Sequence, residues 1–128
     1  MSAMSDYLEN EILDHILATG SYTAPSNVYV GLSTASFNDD NSGTELTGNG
    51  YARVEVTFGA ASGGTASNSA AVEFSAATGS WGTVSHFGIF DASSSGNLLI
   101  HGAFTSSKVI ESGDILKINT GDLDVTAA

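Results

Sequence analysis

The sequence predicts a mainly β fold: an antiparallel β-sandwich or jelly-roll-like domain carrying one N-terminal amphipathic helix. Three observations carry this reading. Apolar and polar residues alternate in short runs from Val28 to the C-terminus, and Gly-, Ser-, Asn- and Asp-rich turns separate the runs. One segment near the start has helical spacing instead. At 128 residues the chain has the length of a single domain, enough to bury a core without disulfide or metal staples.

The helix is expected over Asp6–Ala18. Ser5 is placed to cap it, Asp6 and Glu9 lie in the first turn where the helix dipole favours acids, and Gly20 follows its end. Leu8, Ile12, Leu13, Ile16 and Leu17 form one apolar stripe. Such a stripe either covers the chain's own sheet or docks on another subunit. Tertiary packing supplies most helical stability, which favours the first use.

Strands follow in order. Val28, Val30 and Leu32 share one face of the first. In Tyr51–Phe58 the inward positions are Ala52, Val54, Val56 and Phe58, with Tyr51, Arg53, Glu55 and Thr57 outward. Ala70, Val72 and Phe74 repeat the pattern. Gly79–Phe104 reads as a long hairpin whose first arm is apolar on both faces, with Trp81, Phe87 and Ile89 on one and Val84, His86, Gly88 and Phe90 on the other. A strand of that kind must be covered twice, by its own domain or by a neighbour. Lys108–Ile110 and Ile115–Asn119 flank a turn, and Leu123–Val125 closes the chain. About eight strands at this spacing describe a sandwich or jelly roll. The expected core is Val30, Val54, Val56, Phe58, Trp81, Phe87, Ile89, Phe90 and Ile100.

Two segments read as loops. Ser33–Gly50 exceeds the ~12–15 residues beyond which loops are usually functional or mobile. Ala60–Ser69 is Gly/Ser/Ala-rich and reads as a flexible excursion or wide turn.

Composition narrows the function classes. Three Lys+Arg against 14 Asp+Glu give a net charge of −11, which argues against direct nucleic-acid binding. Only 13% of residues are charged, so much of the surface must be Ser, Thr, Gly, Asn and Ala, which tolerates close protein packing. With no cysteine there is no disulfide, thiol nucleophile or Cys-type zinc site. Ser5–Leu17 is acidic and amphipathic rather than a secretory signal, and no run approaches the roughly 18 apolar residues of a membrane helix. Synthesis in a cytoplasm is therefore expected, without membrane insertion.

Candidate chemistry is sparse. Asp39, Asp40, Asn41 and Glu45 cluster hard oxygen ligands, but their spacing fails the EF-hand pattern. His86 and His101 lie on the two arms of the hairpin; one register makes them neighbours and a one-residue slip separates them. They read as structural histidines, because zinc would need a third ligand that no spacing announces. No nucleophile elbow, phosphate-cradling glycine loop or paired catalytic carboxylates are evident, so no enzyme, catalytic residue, metal or cofactor is expected. Arg53, the sole arginine, is expected to pair with an acid such as Glu55 or Glu73, or with one on a partner subunit.

Taken together, MSAMSDYLENEILDHIL, PSNVYVGLSTA, GYARVEVTFGAAS, ATGSWGTVSHFGIFDA, GNLLIHGAFTSSK and SGDILKINTGDLDVT resemble a family of small tailed-bacteriophage virion proteins commonly labelled tail-fibre proteins. The resemblance spans almost the whole chain in order. It implies a non-enzymatic, oligomeric structural protein of a virion, made in the host bacterium's cytoplasm. The leading expectation is a capsid decoration (cement) protein that stabilises the head, because a compact β module suits that task. A tail-fibre or tail-tip component is the alternative, and a carbohydrate-binding module stacking sugars on tyrosines and Trp81 is the rival of another class. The expected partners are further copies of the chain, as a trimer, and major capsid or tail proteins. The interface is expected at the helix and the Ser33–Gly50 loop, through Leu8, Ile12, Ile16, Phe37, Leu46 and Arg53.

Overall fold

The computed structural model describes residues 2–127. In chain order these form β1 (Ser2–Met4), α1 (Asp6–Ile16), β2 (Val28–Ser33), β3 (Val54–Val56), β4 (Thr65–Ser67), β5 (Val72–Glu73), β6 (Gly82–Phe90), β7 (Leu98–Ile110), β8 (Lys117–Ile118) and β9 (Asp124–Thr126). The chain is mainly β, 37% strand against 9% helix, with its one helix near the N-terminus.

Five strands pair antiparallel in the order β1-β7-β6-β2-β3, and β4–β9 and β5–β8 make two small two-stranded sheets. Alternation sends Val30 and Leu32 of β2, Val56 of β3 and Phe87 and Ile89 of β6 to one side of the large sheet. There they meet Val72, Phe74, Leu116, Ile118 and Leu123, which come from or flank the small sheets. The result is a β-sandwich-like arrangement with its main core between the layers. Trp81 closes one end of that core: its ring meets Tyr51 edge-on at 5.6 Å and Phe74 at 6.4 Å, and its indole N–H donates to the Asn49 carbonyl at 2.9 Å. Val54, Phe58 and Ile100 are half-buried against the same cluster.

Several expectations are corrected. The helix stops at Ile16, because Ala18 turns left-handed (φ 62°) and the Thr19 and Gly20 amides return to the Asp14 carbonyl. Ser2–Met4 is a strand paired with Ile100–Gly102. Only Val54–Val56 of the expected Tyr51–Phe58 strand is paired, and Phe58 makes an isolated bridge to Asn68. The Ala60–Ser69 segment is not a free excursion, since it holds β4 in register with β9. Lys108–Ile110 is the end of β7, while β8 pairs with β5 rather than with it.

The face assignment on β6 is also corrected. The pairing with β7 is irregular between Val84 and His86: Val84 faces Lys108 and His86 faces Ala103, so Ser85 alone stands opposite four residues of β7, 104–107. Strict alternation is broken at this irregularity, so Val84 joins Phe87 and Ile89 in the core rather than lying with His86.

Candidate functional site

Part of the outer face of the large sheet is covered by the chain itself. Gly31 on β2 lies directly opposite Gly88 on β6, and the two leave a hollow without side chains. Phe90 and Leu98 enter it together with Phe37 from the long loop, forming a second buried cluster. Phe37 meets Phe90 edge-on at 5.5 Å. The loop is tied down locally: the Gly43 amide donates to the Phe37 carbonyl (2.9 Å), the Ser33 hydroxyl to the Thr44 carbonyl (2.6 Å), and the Leu46 amide to the Leu32 carbonyl (3.0 Å).

Arg53 lies over this cluster. Its guanidinium carbon is 3.6 Å from the Phe90 ring centre, a cation–π contact with only 8% of the arginine side chain exposed. Nε and Nη2 donate to the Glu45 carboxylate, at 2.9 and 2.8 Å for the shorter contacts, and Nη1 donates to the Ala92 and Ser95 carbonyls at 2.9 and 2.8 Å. The same carboxylate accepts the Tyr51 hydroxyl, which in turn accepts the Leu32 amide at 2.9 Å. Burial, reinforced by the hydrogen bond to Glu45, pushes the Tyr51 phenol well above its ordinary value. Five segments are thereby joined around one guanidinium: β2, the loop, residues 51–53, the end of β6 and the turn before β7.

These positions revise the expected interface. Phe37 is buried and Arg53 nearly so, because the glycine hollow draws the phenyl ring in and the arginine caps it; neither is free on the surface. Arg53 pairs with Glu45 rather than with Glu55 or Glu73. Tyr51 and Arg53 do not point outward, since residues 51–53 precede β3 and do not follow strand alternation. Leu46 is half-buried against the main core, and Leu8 is the one buried residue of α1. Tyr51 and Trp81 are engaged in the core, which removes them as sugar-stacking platforms.

The acidic loop does not converge on a point. Asp39 lies 2.7 Å from His101 Nε2, Asp40 accepts the Ser42 amide at 3.0 Å, and Glu45 is turned towards Arg53. Hydrogen bonds from Ser42 hold the Asp40 carboxyl below its usual range. Among the described residues no three His, Cys, Asp or Glu side chains are grouped as a metal ion would require. The histidines are not direct partners either: His86 faces Ala103 and His101 faces Gly88, while His86 Nδ1 contacts the Ser85 hydroxyl at 2.7 Å.

Sequence reasoning missed Asn68, which is 2% exposed. Its amide donates to the Ala70 and Asn119 carbonyls, and its Oδ1 accepts the Gly121 and Leu123 amides, all at 2.8–3.0 Å. That side chain joins the β4 end to the turn before β9.

Among the described residues, several surfaces are left open. The second half of α1 projects Leu13, Ile16 and Leu17 at 55%, 70% and 66% exposure, with Ile12 half-covered beside Met4. A cleft of about 420 Å³ lies between the later half of β7 and the β8 segment, floored by Val84, Phe104, Leu116 and Ile118 and edged by Lys108 and Lys117.

The structure is a β-sandwich-like module with one N-terminal helix whose second half leaves an apolar face bare. The chain belongs to the family described as Podophage GP4 fiber I protein gp80, whose model matches residues 3–126. It is therefore a phage fibre-type virion component that associates with other virion proteins. No curated protein sequence matches it.

Proposed function

We propose that this chain is a non-enzymatic structural subunit of a tailed-phage fibre, acting as a homo-oligomer, with a trimer expected, and attached to other tail proteins. The family match over residues 3–126 carries the reading. The bare Leu13–Ile16–Leu17 face supports it, because about 1.5–3 kcal/mol is gained for each such side chain that a neighbour buries. A compact β module suits a fibre subunit as well as a capsid decoration protein. The family description supports the tail-fibre reading.

Immunogold labelling of purified virions with an antibody to this chain tests the placement. Label confined to the tail vertex is expected; label spread over the head would return the reading to decoration, and unlabelled particles would remove it from the virion.

A further inference from the structure

We infer that the exposed side of α1 is the docking site for a different virion polypeptide, one that presents an apolar pocket bordered by lysine or arginine. The inference deepens the attachment part of the reading above and rests on it. The side of the helix turned away from Leu8, its one buried residue, is divided along its length. Asp6 and Glu9 stand exposed in the first turn, and Leu13, Ile16 and the C-cap Leu17 stand exposed beyond them. At about 3.6 residues per turn these five share one sector of roughly 100°. Leu13, Ile16 and Leu17 have the i, i+3 and i+4 spacing of a helix that anchors in a groove.

A hollow of about 410 Å³ adjoins this face between the helix and β1, lined by Met4, Glu9, Asn10, Ile12 and Leu13. Its walls are apolar apart from Asn10 and the Glu9 carboxylate, which lies one turn before Leu13, roughly 6 Å along the axis. A lysine or arginine side chain fits such a place, with its methylene stem on Met4, Ile12 and Leu13 and its charge beside Glu9.

Charge selects a different polypeptide over a second copy. The helix carries Asp6, Glu9, Glu11 and Asp14 and no lysine or arginine. Two such helices packed in parallel set acid against acid, and packed antiparallel they bury Asp6 and Glu9 against leucine and isoleucine; both arrangements are unfavourable. The rest of the chain offers no complement. Of its three Lys+Arg residues, Arg53 is committed to Glu45 and the Phe90 ring, while Lys108 and Lys117 share their cleft with Asp122 and Asp124. At a net charge of −11, another copy approaches as a like-charged body. A basic, apolar surface on another protein satisfies both halves of the helix at once.

The test uses whole particles of a phage lacking this gene, with the full chain supplied from a plasmid. In one chain a photo-crosslinking residue replaces Ile16; two others carry Leu13→Gln/Ile16→Gln or Glu9→Lys. All three positions are exposed, and circular dichroism of the purified chains verifies that each stays folded. On irradiation the probe at position 16 should join a different polypeptide, at a segment containing lysine or arginine. Copies per particle, counted against the major capsid protein, should fall about tenfold or more for both variants, as the loss of two apolar anchors or the reversal of one charge implies. Native mass spectrometry of the purified chains should find the same oligomeric state for variants and wild type. A cross-link to another copy, no cross-link, wild-type incorporation of either variant, or a changed oligomeric state each overturns the inference and leaves the fibre reading standing. Particles that lack even the wild-type chain would overturn the fibre reading, and this contact with it.

Discussion

Gly31 and Gly88 face each other across the β2–β6 ladder, and the edge of the Phe90 ring occupies the space that two side chains would have filled. A Cβ on Gly88 would lie 2.9 Å from both Phe90 and Leu98, and one on Gly31 would lie 2.8 Å from the Glu45 carboxylate. This hollow explains how a strand apolar on both faces is covered within one chain. Gly88→Ala is accordingly expected to destabilise the fold by about 1–3 kcal/mol through overpacking. Urea denaturation measures it; a change below a few tenths would show that the hollow is slack.

Arg53 secures that cover, and its contribution is expected to be specific to the guanidinium. Arg53→Ala leaves Glu45 partly buried without its partner and should cost about 3 kcal/mol. Arg53→Lys should lose much of the same stability, because an ammonium cannot reach Glu45, Ala92 and Ser95 while lying flat on Phe90. Thermal melts of the two variants decide: a lysine variant as stable as the wild type would reduce Arg53 to a simple point charge.

Tyr51 gives an alkaline signature. Its folded pKa is raised above the ordinary value of 10.0, so the folded chain keeps a phenolic proton that the unfolded chain releases. The stabilisation is full below about pH 10 and declines as pH rises beyond it. Tyr51→Phe should lower stability at neutral pH by about 1–3 kcal/mol, since the buried Leu32 amide loses its acceptor. The same change should flatten the decline above pH 10, followed by denaturation at stepped pH. An unchanged alkaline slope would remove Tyr51 as its source.

Asn68 holds four backbone groups at once, so its loss should be felt beyond β4. Asn68→Ala is expected to cost about 2–4 kcal/mol, since several buried groups lose partners together. Amide exchange should quicken at Gly121 and Leu123, whose N–H groups it accepts. Exchange that stays slow there would show the β8–β9 turn to be held by other contacts.

The start of the helix and the main core were legible because their signals are local. Ser5 caps α1 by accepting the Leu8 amide, as its position before an apolar stripe implies. Val30, Val56, Phe87 and Ile89 follow strict alternation into the core. Val84 did not, because the ladder breaks between Val84 and His86, where residues 104–107 of β7 stand opposite Ser85 and no residue signature marks the slip. Arg53 and Tyr51 were misplaced by extending a strand pattern over residues that are not in the strand. Asn68 sits in a Gly/Ser/Ala-rich run, and its partners at residues 119–123 lie some fifty positions away, where no short-range rule reaches. The helix stripe was legible as apolar, but sequence alone did not tell that most of it is left uncovered.

Placement in the particle is the central claim, and copy number tests it most directly. Quantitative mass spectrometry of purified virions, scaled to the major capsid protein, should find the few tens of copies or fewer that fibres at one tail vertex require, roughly a tenth or less of the capsid count by closed-ring assembly at a single site. Near-equal numbers of this chain and the major capsid protein would contradict a fibre and place it across the head.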